Sequence, residues 1–113
     1  MTDRAHLSID RALGQLSSPG AESTVLFEHG SLLVKVYAPR GVDRQTPHTR
    51  DEIYVVMRGG GTFFDGEERR PFGLGDFLFA PAGTVHRFED FSDDFAVWVM
   101  YFGPEGGEAP ELR

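Results

Sequence analysis

The sequence contains no cysteine and only one lysine, Lys35, in 113 residues. Without cysteine, disulfides contribute nothing to stability, and a metal site would have to use His, Asp, Glu or water as ligands. The formal net charge is −7, and the ten arginines are scattered along the chain. A protein that binds nucleic acid or an anionic membrane needs clustered positive charge. Neither kind of partner is therefore expected.

Long apolar runs are also absent. No window approaches the length of a membrane span, and the first ten residues, "MTDRAHLSID", lack the apolar segment of a secretory signal. We therefore expect a cytoplasmic protein. At 113 residues with 40% hydrophobic residues, the chain has the size and composition of one globular domain.

Short apolar segments and turn residues dominate the rest of the chain. Fourteen glycines and seven prolines separate about eight strand-like runs, a pattern typical of an all-β sandwich or barrel. A helical pattern occurs in "SIDRALGQL", which begins at Ser8 as a potential N-cap. We expect an N-terminal segment with a short helix over 1–22, a β-barrel over 23–103 and a flexible tail over 104–113.

Three residues of metal-ligating type lie near predicted strand ends: His48, Glu52 and His86. On one straight strand, four residues span about 13 Å, too far for His48 and Glu52 to share an ion. A tight hairpin through residues 49–51 would bring them about 5 Å apart. His86 follows a second turn, and we expect it just inside the next strand. From these residues alone, a metal site and an ordinary polar turn remain equally open.

The spacing of these residues resembles the two motifs of the cupin family. "HTRDEIYVVMRG" supplies His48, Glu52 and a glycine six residues later, and "GDFLFAPAGTVHRFED" supplies Gly-x5-Pro-x-Gly-x2-His. Two positions differ: Thr46 stands where the family has its first histidine, and Asp90 where it has an asparagine. The resemblance covers residues 41–90, and it implies a jelly-roll barrel (a double-stranded β-helix).

The resemblance also implies a metal site. His48, Glu52 and His86 would hold a divalent ion such as iron, manganese, zinc or nickel, and Gln45 or a water could replace the missing histidine. Strand alternation places Tyr54 on the same face as Glu52, and Phe88 on the same face as His86. Tyr54, Phe88 and Thr46 are therefore candidate pocket residues, and Tyr54 is a weak candidate for a catalytic role. The alternative for the two aromatic residues is simple core packing.

Two functions remain open at this point. The first is a small metal-dependent enzyme, an oxygenase, isomerase or lyase that acts on a small polar metabolite. The second is a non-catalytic module that binds or senses a small molecule, with the metal structural or absent. A homodimer is expected in either case, because small barrels often cover their strand edges with a partner.

Overall fold

The computed structural model describes residues 5–16 and 18–109. Within these ranges the chain forms one short helix and eight strands. The helix α1 spans Ile9–Gly14, and the strands are β1 Ser23–His29, β2 Leu32–Tyr37, β3 Asp51–Arg58, β4 Gly61–Phe64, β5 Arg69–Phe72, β6 Phe77–Ala80, β7 Arg87–Glu89 and β8 Ala96–Phe102. The predicted all-β class with a short N-terminal helix is confirmed.

The strands form two antiparallel sheets. The larger has the order β1-β2-β8-β3-β6, and the smaller has the order β5-β4-β7. The continuously apolar segment predicted to be a buried strand is β8, which pairs with both β2 and β3 at the centre of the larger sheet. A central strand has sheet neighbours on both edges and packed layers on both faces, which explains why its sequence does not alternate.

The barrel interior has an aromatic end. Phe63, Phe72, Phe88 and Phe95 are buried there, with neighbouring ring centroids 4.8–5.4 Å apart in tilted or edge-on arrangements. Tyr54 continues this cluster and contacts Phe88 edge-on at 4.8 Å. These geometries are the ones that aromatic quadrupoles favour. The polar end of the interior lies beyond Tyr54 and contains the candidate site.

Helix α1 covers part of the outer face of the larger sheet. Ser8 caps it by accepting a hydrogen bond from Arg11 N at 3.1 Å. Ala12 is fully buried against Val36, Met57 and Ala96 of the sheet. Helical hydrogen bonding therefore begins at the predicted N-cap, and the helix serves to bury an apolar patch of the outer sheet face.

The predicted hairpin between His48 and Glu52 is wrong. Residues 38–50 form an irregular connection, and the chain bends at residues 49–50 before β3 begins. Pro39 and Pro47 lie in this connection, and a proline cannot donate the backbone hydrogen bond that a paired strand requires. His86 likewise precedes β7 and does not lie inside it. The bend at residues 49–50 nevertheless leaves His48 Nε2 3.9 Å from Glu52 Oε1.

The segment after β8 returns to the start of β3. Gly106 N donates to Thr49 O at 2.6 Å, and Glu108 N donates to the Asp51 carboxylate at 2.9 Å. Residues 110–113 of the predicted tail lie outside the described residues, and the predicted domain bounds stay a prediction. Within the described ranges, no helix is both long enough and apolar enough to span a membrane.

Candidate metal centre

His48, Glu52 and His86 come together at the polar end of the barrel interior. One ligand atom from each lies within 4.8 Å of the other two. Glu52 comes from β3, His48 from the irregular connection before it, and His86 from the turn region that links β6 to β7. Gly83 N donates to His48 O at 2.7 Å, so the two histidine-bearing segments are directly bonded to each other.

Glu52 is the exceptional member of this group. It is 1% exposed, and neither carboxylate oxygen accepts a hydrogen bond from any donor in the described part of the chain. Its Oε1 lies 3.1 Å from His86 Nε2 and 3.9 Å from His48 Nε2. Burying a carboxylate without hydrogen bonds is costly unless a cation or proton compensates it. A positive charge between Glu52 and the imidazoles would therefore stabilise the buried carboxylate.

His86 is fixed by its second ring nitrogen. Nδ1 lies 3.0 Å from Thr84 O, a backbone acceptor, so Nδ1 carries a proton and Nε2 faces Glu52. Burial, which lowers the pKa of the His86 imidazole, is outweighed by the Glu52 carboxylate and the Thr84 carbonyl, so that this pKa is raised. The surroundings of Nε2 therefore favour a positive charge there.

His48 is the more accessible imidazole, with a side chain 31% exposed. Its Nε2 lies 3.1 Å from the Tyr101 hydroxyl, which can donate to it. Burial lowers the pKa of His48, and the opposing effect of Glu52 does not compensate. His48 is thus disposed to remain neutral, the state in which an imidazole binds a metal.

A second buried carboxylate, Asp43, accepts hydrogen bonds from several residues near His86. It accepts from the Tyr37 hydroxyl at 2.6 Å, from Gln45 N at 3.1 Å, from Gln45 Nε2 at 2.7 Å and from Phe88 N at 2.9 Å. Because a carboxylate only accepts, the Gln45 amide must present its NH2 to Asp43 and its oxygen to Tyr54. The orientation of Gln45 is therefore determined by Asp43.

The hydroxyl group of Tyr54 links the oriented Gln45 amide to His86. Its hydroxyl donates to Gln45 Oε1 at 2.8 Å and lies 2.9 Å from His86 Nε2. Since its single proton is directed to Gln45, the Tyr54 oxygen is an acceptor toward His86. Nε2 of His86 thus faces two acceptor oxygens, one from Tyr54 and one from Glu52. Burial, followed by the charge of Glu52, raises the pKa of Tyr54, so its hydroxyl stays protonated.

The arrangement fits a divalent metal ion. Two imidazole nitrogens and one carboxylate oxygen form a mixed donor set that suits iron(II), manganese(II), zinc or nickel. Both the unpartnered oxygens of Glu52 and the acceptor surroundings of His86 Nε2 are explained by a cation at this point. The exposed side of His48 leaves room for further ligands.

A pocket of about 240 Å³ opens beside the cluster and is lined by two of its members, His48 and Glu52. Most of its polar lining comes from β2, β8 and the irregular connection, and Arg44 at the mouth lies 3.7 Å from Glu22. The lining residues are Glu22, Ser23, Lys35, Tyr37, Arg44, Gln45, His48, Glu52, Val99 and Tyr101.

The predicted pocket residues occupy three different locations in the structure: the pocket lining, the core below the pocket and the surface outside it. Gln45 lines the pocket, with both ends of its amide engaged by Asp43 and Tyr54. Tyr54 and Phe88 are 0% and 2% exposed and lie in the core below the pocket. Thr46 is exposed and lies outside the residues that line the pocket. The binding roles assigned to these residues stay predictions.

Four residues that line the pocket or hold its lining in place were not predicted as site residues from the sequence. Tyr101 could have been found, because it shares a strand face with Val99 and pairs across the sheet with Glu52. Lys35 and Tyr37 likewise share one face of β2. Asp43 lies in the irregular connection, where no periodicity exists to reveal its direction.

Comparison with known proteins agrees with this architecture. The family model described as "Cupin domain" matches residues 33–102 of this chain. The chain belongs to the cupin family, as the spacing of its two motifs predicted. It is a cupin domain whose barrel contains a histidine–glutamate cluster capable of holding a metal.

Individual relatives extend the comparison without adding a function. An uncharacterized protein of Streptomyces coelicolor is 36% identical over 63 residues, which are 56% of this chain and 60% of that protein. The match therefore spans less than two thirds of that relative's length.

Solved structures support the fold alone. A cupin-2 domain protein from Shewanella frigidimarina superposes with a TM-score of 0.66 at 15% identity, covering 86% of this chain and 94% of that one. KdgF from Halomonas sp. gives 0.64 at 22% identity, covering 76% and 82%. TT1209 from Thermus thermophilus gives 0.61 at 24% identity, covering 80% and 92%.

Proposed function

We propose that this chain is a small metal-dependent enzyme that binds a divalent ion through His48, Glu52 and His86 and acts on a small polar metabolite. The observation that carries the proposal is Glu52, a carboxylate 1% exposed that accepts no backbone hydrogen bond within the described ranges and whose Oε1 faces His86 Nε2 at 3.1 Å and His48 Nε2 at 3.9 Å. A purely structural carboxylate at this depth would be expected to have donors, as Asp43 does.

Some residues of the chain would bind the substrate, and others would orient a metal ligand. Lys35 and Tyr101 line the pocket and can contact a bound molecule, while Tyr54 and Gln45 orient His86 from below. A bound divalent ion would supply Lewis acidity toward an oxygen of the substrate or, in the case of iron, a site for dioxygen. Oxygenase, isomerase and lyase reactions are all compatible with this donor set.

Metal analysis tests the proposal directly. Untagged protein would be incubated with iron(II), manganese(II), zinc or nickel, desalted and measured by mass spectrometry. We expect one ion per chain in the wild type and loss of the ion in His48→Ala, Glu52→Gln and His86→Ala. His29→Ala, which removes an exposed imidazole from β1, is the matched control and should retain the ion. Wild-type protein without metal under every condition would refute the proposal.

A non-catalytic binding module is the alternative. It is favoured by the position of Tyr54, whose fully buried hydroxyl is engaged by Gln45 and His86 and so is not free to act as a base. Oxygen consumption and product analysis against a panel of small hydroxy and oxo acids separate the two functions. Stoichiometric metal with tight ligand binding but no turnover would favour the module.

We further propose that the chain forms a homodimer through β6. This strand is at the edge of the larger sheet, and its Phe77 and Phe79 are 64% and 45% exposed. An open edge with apolar side chains can pair with its own copy across a two-fold axis. Analytical ultracentrifugation should give a dimer for the wild type and a monomer for Phe77→Asp. A monomeric wild type at micromolar concentration would contradict this interface.

A further inference from the structure

Lys35 is the only lysine of an acidic chain, and it faces the candidate metal pocket. It lies on β2, where it pairs with Val99 of β8 and shares a strand face with Tyr37. Its side chain is half-buried. A strand residue on this face points into the barrel, so its ammonium group is directed toward the pocket and not along the outer surface.

No carboxylate of the pocket neutralises Lys35. Among the described residues, no salt bridge or side-chain hydrogen bond involves its ammonium group. Glu22 lies near Arg44, at 3.7 Å, and also accepts from Arg40 N at 3.1 Å. Glu52 lies against the two imidazoles.

Asp43 is not available to Lys35 either, because its oxygens are already engaged by four donors. With a divalent ion beside Glu52, the pocket lining would therefore carry excess positive charge, although the whole chain has a formal net charge of −7. A half-buried ammonium that lacks a partner is stabilised by an anionic ligand.

We propose that the pocket binds a small carboxylic acid whose carboxylate pairs with Lys35 while its other oxygen atoms face His48, Glu52 and His86. This inference rests on the proposed function, since it places the second end of the ligand at the metal centre. Lys35 thereby becomes the residue that selects anionic over neutral ligands.

The geometry favours a carboxylate over a phosphate. Phosphates are usually bound by several donors, often backbone N–H groups at a helix N-terminus or a glycine-rich turn. The described lining of this pocket offers one unpaired lysine and one arginine near Glu22. Its volume of about 240 Å³ also restricts the ligand to a small molecule.

The charge preference can be measured by calorimetry on zinc-loaded protein. The probes are succinate and glutarate, each compared with its mono-amide, which keeps the size but removes one negative charge. We expect the wild type to bind the better dicarboxylate at least about tenfold more tightly than its mono-amide. Lys35→Met, which keeps the length of the side chain, should lose this preference.

A matched control separates local from global charge. Arg40→Met removes one positive charge from an exposed position outside the pocket lining, and it should keep the preference. Zinc content is measured in every sample, so that a misfolded Lys35→Met variant is recognised by loss of metal. A preference that persists in metal-retaining Lys35→Met, or that is absent in the wild type, would overturn the inference.

A second measurement does not depend on the metal. Because Lys35 is the only lysine, reductive methylation with ¹³C-formaldehyde gives a single lysine signal in the NMR spectrum, apart from the N-terminal amine. Succinate should shift this signal in metal-free protein, and neutral succinamide should not. Failure of metal binding with a succinate-dependent shift would refute only the proposed function, whereas metal binding without any shift would refute the role of Lys35.

Discussion

Asp43 and Glu52 are two carboxylates buried in the same barrel interior, with opposite surroundings. Asp43 is 4% exposed and accepts four hydrogen bonds, while Glu52 is 1% exposed and accepts none from the described residues. The hydrogen-bonding capacity of Asp43 is satisfied by donors of its own chain, and these bonds hold neighbouring segments in place. Oε1 of Glu52 instead faces two imidazole nitrogens, at 3.1 Å for His86 and 3.9 Å for His48.

The difference in hydrogen bonding between Asp43 and Glu52 shows that burial of a carboxylate does not by itself identify a functional residue. A buried carboxylate with several donors contributes to the fold, because each charge-assisted hydrogen bond replaces water that was lost. A buried carboxylate without donors weakens the fold until a cation arrives. Identical chemical changes at Asp43 and Glu52 should therefore have opposite consequences for stability and for metal binding.

Asp43→Asn should have the largest effect on the fold. An amide NH2 would replace one acceptor oxygen and face existing donors, so the free energy of unfolding should fall by about 3 kcal/mol. Urea denaturation of metal-free protein measures this change. Asp93→Asn removes the same charge from an exposed position and should leave the free energy almost unchanged. A loss below about 1 kcal/mol at Asp43 would contradict its structural role.

Glu52→Gln should have the next largest effect, and on a different property. The loss of an anionic ligand should weaken divalent-metal binding by about 100-fold or more, equivalent to about 2.7 kcal/mol. The free energy of unfolding of the metal-free variant should stay within about 1 kcal/mol of the wild type or rise. Competition with a chromogenic chelator measures the affinity. If this variant were destabilised as strongly as Asp43→Asn, Glu52 would be a structural residue.

Tyr54→Phe should weaken metal binding by about tenfold, because its hydroxyl orients His86 Nε2 without touching the pocket. Tyr37→Phe is the matched control: it removes a hydrogen bond to Asp43 but none to a histidine. The control should lower the free energy of unfolding by about 1 kcal/mol and leave metal affinity unchanged. Equal effects of the two variants on metal affinity would show that the tyrosine hydroxyls act only through the fold.

Tyr101→Phe should have the smallest effect, about a threefold loss of metal affinity. Its hydroxyl contacts His48 at 3.1 Å, but His48 is partly exposed and water can replace the lost donor. The same chelator competition measures the loss. A larger effect than that of Tyr54→Phe would mean that His48 depends more on its protein partner than His86 does.

The motif residues were predictable because special backbone geometry restricts them. Gly59 has a φ of 75°, and a Cβ there would lie 2.9 Å from Phe95 Cα. Asp90, at the family's asparagine position, has a φ of 49°, a conformation that Asn and Asp adopt more readily than other residues with a Cβ. Such positions keep a fixed spacing from the ligand residues, so the spacing revealed both the fold and the cluster.

The connection between β2 and β3 was not predictable in the same way. Its 13 residues, 38–50, have no periodicity, and their path is determined by distant contacts. Asp43 bonds to Phe88, and the Arg87 side chain donates to Gln45 O, both 40 or more positions along the chain. Local sequence therefore could not show that His48 arrives without a hairpin, nor that Asp43 faces inward.

Asp51, the residue before Glu52, joins three parts of the chain at one side chain. Its carboxylate accepts from Ala82 N and from Glu108 N, each at 2.9 Å, and these bonds lower the pKa of Asp51. Ala82 belongs to the turn that precedes His86. The segment beyond β8 thus contributes to the alignment of Glu52 and His86 although it supplies none of the candidate ligands. Any fusion or redesign that replaces residues 104–108 would consequently alter the site at a distance.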